Sequence, residues 1–270
     1  MGRSKKVEKE EIVIDLTLSE DEILPKEEIK KQENLPKTPF DPPLNISGNI
    51  LESRHYKILK SHSAWFTDDI INAFFCILKA KNEGKCFVFS SFFYDSLLRK
   101  GKDYCLKHWT KGIKTFLSSS IENKIVLFPV NSGGSHWVLV TWSVDGGTLN
   151  YYDSLMCKRS GNLIMKRMTE FFNEIKNDEE EEEEDIDKLL FKLTFNEIEE
   201  KKQFKFPLIK NNFIPKGQIQ QTDGSSCGPF CCLNGEILLE GNDKTTKVVD
   251  IFKFRESLIE YFKENSNILN

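Results

Sequence analysis

Hydrophobic side chains recur along this chain with two different periods. In the stretch from Ala64 to Leu78, apolar residues fall at Ile70, Ile71, Phe74, Phe75 and Leu78. That i, i+1, i+4, i+5, i+8 stripe predicts a core-facing helix. Thr67 stands at the N-cap position, and Asp68 and Asp69 occupy the first turn, where the helix dipole favours anions. The run Phe87–Tyr94 leads into a further helix through Leu98. The period then shortens. Lys124–Val130 reads as a central strand, Ser135–Ser143 as a second and Thr148–Asp153 as a third, with Asp145-Gly146-Gly147 as a hairpin turn between the last two. A hairpin brings the start of one strand and the end of its neighbour to one sheet edge, so His136 and Asp153 are expected side by side. Residues 164–175 read as an amphipathic helix, 189–195 as its continuation or a separate element, 214–219 as a strand or extended lead, and 248–262 as a last helix. Between the last two, the Gly- and Ser-rich turn Gln221–Ser226 runs into the apolar segment Cys227–Leu239, which reads as a mostly buried helix.

Two stretches break these periods. Residues 1–45 are dominated by charges and by Pro25, Pro36, Pro39, Pro42 and Pro43, and are expected as a disordered tail ahead of a globular domain at 46–270. Within the tail, Ile12, Val13, Ile14 and Leu16 form an aliphatic island flanked by acids. β-branched residues favour an extended strand. Such a strand can add to a partner's sheet edge while its acids face a basic rim. The island at 12–22 resembles a SUMO-interacting motif. The acidic run Glu179–Asp185 repels itself and is expected as a solvated insertion loop around 177–187.

Composition removes several classes. The chain has 270 residues, 39% of them hydrophobic and 21 of them Phe, enough for a sizeable core. A net charge of −4, from 38 basic and 42 acidic residues, gives no electrostatic footprint for nucleic acid. No apolar run approaches the length of a membrane span, and the start of the chain lacks an apolar signal core. The seven cysteines are odd in number and scattered, so reduced thiols in cytoplasm or nucleus fit better than disulfides. No CxxC pair exists and the four histidines are not spaced as ligands, so neither a metal nor another cofactor is expected.

Cys227 is where chemistry enters. At a helix start, unpaired N–H groups and the positive end of the dipole favour a thiolate. A cysteine so placed is by itself most often a structural residue. A nucleophile needs a base within hydrogen-bond reach, and the base needs an acceptor to hold its tautomer. His136 and Asp153 fit those two roles, and the Gln221 side chain with the Cys227 backbone N–H can serve a developing oxyanion. Each of these has a plain alternative: a backbone-bonded strand histidine, a turn aspartate, a loop amide.

Gly133-Gly134-Ser135-His136-Trp137, Tyr151-Tyr152-Asp153-Ser154 and Gln221-x-x-Gly224-x-x-Cys227-Gly228 resemble the three catalytic blocks of the Ulp/SENP family of SUMO proteases. Trp65-Phe-Thr-Asp68-Asp-Ile-Ile-Asn72 is similar to that family's first motif, and Phe89-Ser-Ser-Phe-Phe and Lys107-His-Trp109-Thr-Lys111 follow in the same order. The resemblance spans residues 47–262. It implies an α+β, papain-like cysteine protease fold with a central mixed sheet flanked by helices. It also implies His136 as base, Asp153 as orienting acid, Gln221 as oxyanion donor and Cys227 as nucleophile. Trp65 and Trp137 match the tryptophans that clamp the modifier's Gly-Gly tail, a flat slot that passes glycine and excludes a Cβ. Asp68 matches an acid that meets a basic residue of the modifier. The expected partners are SUMO and SUMO-conjugated proteins, with no nucleic acid and no membrane, for a monomer of the nucleus or cytoplasm. Two departures stand out: Ser226 where the family commonly has Asp, and Cys157 near where it often has Gly. A protease for another ubiquitin-like modifier, an acyltransferase on the same scaffold and a catalytically silent SUMO-binding module are the alternatives.

Overall fold

A computed structural model describes residues 38–174, 207–216, 218–240 and 250–266. The tail island Ile12, Val13, Ile14 and Leu16, the acidic run and residues 189–195 lie outside that set. The elements are β1 (Leu44–Ile46), β2 (Asn49–Leu51), α1 (Ser53–Lys60), α2 (Asp68–Lys81), β3 (Cys86–Val88), α3 (Phe92–Arg99), α4 (Gly101–Trp109), α5 (Lys111–Ser118), β4 (Ile125–Ser132), β5 (His136–Ser143), β6 (Thr148–Tyr152), α6 (Lys158–Glu174), β7 (Asn211–Phe213), α7 (Cys227–Glu240) and α8 (Ile251–Asn265).

The main sheet runs β3-β4-β5-β6-β7, with the outer strands parallel to their neighbours and β4, β5 and β6 antiparallel. This is the mixed sheet the resemblance implies. Its central strands are buried on both faces, which is why they read as apolar runs rather than as alternation. Along β5, Val138, Val140 and Trp142 enter one core with Phe89, Phe93, Phe128, Phe171 and Phe172. Trp137 and Leu139 enter the other with Phe74, Phe75, Cys227, Cys231 and Phe262. The period-two geometry of a strand thus splits one segment between two cores. The first core is largely aromatic: the Phe89 ring lies 4.4 Å from Phe93 and 4.8 Å from Phe128 between centroids. Truncating Phe172 to Ala there would cost about 3–5 kcal/mol. In the second core α7 packs on β5 and α2, and this fixes the start of α7 against the sheet edge.

The β5–β6 turn is built on Gly147, at φ +61°, where a Cβ would stand 2.7 Å from the Leu208 carbonyl oxygen. In β6 the register pairs Leu139 with Tyr152 and Val140 with Tyr151, so Asp153 emerges at the edge where β5 begins.

Several boundaries differ from expectation. The folded part extends back to Thr38, because Phe40 is fully buried and β1 starts at Leu44, within the stretch read as tail. The prolines around it obscured one core phenylalanine that packs edge-on to Tyr56. The strand here, β7, lies just before 214–219, which is expected as a strand or an extended lead and carries no strand among its described residues. All three of its residues are exposed, so it pairs through its backbone and leaves no hydrophobic pattern to read. α6 begins at Lys158 rather than Ile164. α8 starts behind Asp250, whose carboxylate accepts from Phe252 N and Lys253 N, both at 3.1 Å. Thr67 is the N-cap of α2, yet its hydroxyl caps nothing and is buried without a partner among the described residues.

Candidate active site

The β5–β6 hairpin brings His136 and Asp153 together, with His136 Nε2 at 2.6 Å from Asp153 Oδ1. An ionised carboxylate only accepts, so Nε2 carries the proton and donates it. Asp153 is 1% exposed, and its oxygens are saturated. Oδ1 also accepts from Leu155 N at 2.8 Å, and Oδ2 accepts from Cys157 N at 2.8 Å and from the Tyr151 hydroxyl at 3.1 Å. Burial works against the Asp153 charge, but the His136 bond and the two amides outweigh it and hold the carboxyl below its usual range. Burial and the Asp153 charge push the Tyr151 hydroxyl upward, so it stays a donor. Gln218 clamps the same strand end: its Oε1 accepts from Asp153 N at 2.7 Å and its Nε2 donates to the Tyr151 carbonyl at 2.9 Å.

Cys227 is the first residue of α7 and is buried. It lies close enough to His136 to act on the imidazole. With Nε2 engaged by Asp153, Nδ1 is the ring nitrogen left to serve a thiol. Burial alone would lower the His136 pKa. The Asp153 bond, the Cys227 side chain and the charges of both groups reverse that and push it up to about 9. The first α7 turn contains Pro229, whose missing N–H is not needed there. Gly228 is required sterically: a Cβ would lie 2.7 Å from Phe66 Cβ.

Gln221 sits beside this line. Its backbone N donates to the Ser154 carbonyl at 3.1 Å, its Oε1 accepts from Ser154 Oγ at 2.5 Å and its Nε2 donates to the Asp223 carbonyl at 2.7 Å. Asp223 resolves the departure at Ser226. Its Oδ1 accepts from Ser225 N and Ser226 N, both at 2.7 Å, and its Oδ2 from Ser226 Oγ at 2.8 Å. A carboxylate thus organises the nucleophile's loop from three positions upstream. Burial opposes its charge, but the Ser225 and Ser226 donors hold the group below its usual range.

Trp65 is 51% exposed at the rim, and its indole N–H donates to the Gly224 carbonyl at 3.0 Å. Trp137 is only 4% exposed and donates to the Phe66 carbonyl at 2.9 Å. One indole is therefore open and the other covered. Asp68 lies in the first turn of α2 and accepts from Ser91 Oγ at 2.8 Å; Asn72 holds Ser91 in turn, accepting from its N at 2.9 Å. Cys157 is an exposed thiol whose pKa is lowered by the hydrogen bonds from Ser160. All seven cysteines are free thiols. Among the described residues no group of His, Cys, Asp and Glu side chains is arranged to hold a metal ion, and no helix is long and apolar enough to cross a membrane.

A carboxylate, an imidazole and a thiol in line at a helix start are the equipment of a cysteine hydrolase. The family model of the Ulp1 protease family, C-terminal catalytic domain, matches residues 64–269, and the chain belongs to that family. It is 28% identical over 199 residues to Sentrin-specific protease 2 of Pongo abelii, covering 72% of this chain and 29% of that protein. It is 27% identical over 177 residues to a Sentrin-specific protease of Caenorhabditis elegans, covering 64% and 21%. The chain spans less than a third of the length of these relatives. Its fold is similar to that of the C-terminal Ulp1 protease domain solved in complex with Smt3, the yeast ortholog of SUMO. The TM-score is 0.60 at 20% identity, with 89% of this chain and 94% of that chain covered.

Tyr151, Gln218 and Asp223 escaped the sequence reading. Tyr151 left a trace, being the inward member of a strand ending at Asp153. Gln218 and Asp223 left none, because their partners are chosen by loop geometry.

Proposed function

We propose that this chain is a cysteine isopeptidase and endopeptidase that cleaves after the C-terminal Gly-Gly of SUMO, releasing SUMO from target lysines and maturing its precursor by the same chemistry. The observation that carries this reading is the 2.6 Å His136–Asp153 bond beside a buried Cys227 at the start of α7. The Cys227 thiolate attacks the carbonyl carbon of the terminal glycine. The Cys227 backbone N–H and the second N–H of the Gln221 amide receive the oxyanion. Losing one such donor costs on the order of 3 kcal/mol of transition-state stabilisation. His136, charged in the free enzyme, gives its proton to the departing amine. It then takes one from the water that opens the thioester, while Asp153 holds the ring. The exposed face of Trp65, with Trp137 beneath, bounds the slot for the glycines, and Asp68 meets a basic side chain of the modifier. The aliphatic segment Ile12, Val13, Ile14 and Leu16 raises the local concentration of SUMO by tethering. Free thiols throughout suit a monomer working in nucleus or cytoplasm.

The test is incubation with SUMO and other ubiquitin-like modifiers, each carrying a C-terminal electrophile. A covalent adduct with SUMO, absent in Cys227→Ser, is the expected result. An adduct with a different modifier only would move the substrate assignment, and no adduct with any would leave a binding module.

A further inference from the structure

Arg255 in α8 is fully buried, at 0% exposure. A buried guanidinium is rare unless a carboxylate pairs with it. Here the donors go to main-chain carbonyls. Nε and Nη2 reach the Ile58 oxygen at 3.3 and 2.8 Å, and Nη2 also reaches the Ala64 oxygen. Its face lies over the Phe66 ring, 4.8 Å from the centroid. Nη1 is buried with no partner among the described residues. A buried orphan donor on a charged group is costly and calls for a reason beyond packing.

The segment it grips touches the nucleophile's loop and the start of α7 at three points and β5 at a fourth. The His62 carbonyl accepts from Ser225 Oγ at 3.0 Å and the Trp65 indole donates to the Gly224 carbonyl at 3.0 Å. The Phe66 carbonyl accepts from the Trp137 indole at 2.9 Å, and the Phe66 side chain abuts Gly228. Burial draws the Arg255 pKa down to about 10, which leaves the guanidinium charged at neutral pH.

We propose that Arg255 is a positioning residue of the Cys227 site: from α8 it pins the 58–66 segment, and with it the Trp65 wall, against the nucleophile's loop. The proposal rests on the reading of Cys227 as nucleophile. Arg255→Lys keeps the charge and loses the fork that grips two carbonyls. Arg255→Met keeps the stem and loses both.

The experiment uses the full chain. Carbamidomethylation of Cys227 by iodoacetamide at neutral pH is followed by peptide mass spectrometry, beside hydrolysis of SUMO carrying a C-terminal aminocoumarin amide. In Arg255→Met, KM for the SUMO substrate rises severalfold, because the segment bearing Trp65 loses both carbonyl anchors. In Arg255→Lys alkylation of Cys227 stays with the parent while KM for the SUMO substrate rises, the split that a plain packing role would not produce. A folded Arg255→Met with the parent's KM overturns the proposal. Should that variant fail to fold, an Arg255→Lys protein that matches the parent in KM overturns it equally. If Cys227 of the parent reacts no faster than Cys231 or Cys232, the reading of Cys227 itself falls, and that result is distinct from either of the others.

Discussion

Asp153→Asn changes one atom's chemistry at the most saturated carboxylate of the site. Four donors converge on its two oxygens: His136 Nε2–H and Leu155 N–H on Oδ1, and Cys157 N–H and the Tyr151 hydroxyl on Oδ2. Asparagine offers a single acceptor oxygen, and its amino group must face one of the two pairs. Turned toward Leu155 and His136, it opposes the proton that holds the imidazole's tautomer. Turned the other way, it leaves the Cys157 and Tyr151 donors unsatisfied. Each buried donor left unpaired costs about 1–3 kcal/mol, so with two of them unpaired the variant loses on the order of 2–6 kcal/mol of stability. Activity falls as well, because the imidazolium loses its counter-charge: kcat/KM for a SUMO aminocoumarin amide drops about 10³–10⁴-fold. The pH profile is the sharper readout. Asp153 raises the His136 pKa, so in Asp153→Asn the imidazolium is lost at lower pH and the alkaline limb moves toward acid. Assays run well below the variant's melting temperature separate the chemistry from the stability loss. Activity within a fewfold of the parent, with an unmoved alkaline limb, would refute the reasoning.

In the parent protein, the raised His136 pKa places the loss of the imidazolium near pH 9. The stability from this pairing is complete below the ordinary histidine pKa of about 6.5 and is lost as pH rises through about 9. A pH–melting series and a kcat/KM profile should both turn down there. For Asp153 and Asp223, whose carboxyls are held low, the sign is opposite, and their contribution is lost on acidification. Gly228→Ala puts a Cβ 2.7 Å from Phe66 Cβ at the foot of α7. It should cost about 1–3 kcal/mol in a chemical melt and displace Cys227 enough to impair turnover. Trp65→Ala, at an exposed rim position, should leave the melt nearly unchanged while raising KM for the SUMO substrate well above any change in kcat.

Where a local rule decides the structure, the sequence was readable. The Asp145-Gly146-Gly147 turn sets the pairing of β5 with β6, and that pairing alone carries His136 to Asp153. The passage from Gly- and Ser-rich loop to apolar run marks the start of α7, and so the place of Cys227. The unreadable features depend on partners distant in sequence. Nothing in the pattern of α8 announces that Arg255 points inward to carbonyls at Ile58 and Ala64, since an arginine in an amphipathic helix reads as a solvated residue. Ser226 looked like a missing acid, whereas the loop folds Asp223 back to do that work through four serine donors. β7 and Phe40 were hidden for opposite reasons: a strand with no buried side chain, and a buried side chain in a proline-rich stretch.

The account stands on an acyl-enzyme at one named sulfur. Mixing the protein with the SUMO aminocoumarin amide, quenching in acid within the first turnovers and mapping the peptides tests it directly. The predicted result is a hydroxylamine-labile thioester joining the terminal glycine carbonyl of SUMO to Cys227, formed with a burst of free coumarin. Coumarin release with Cys227 unmodified, or with the acyl group carried by another thiol such as Cys157, would contradict it.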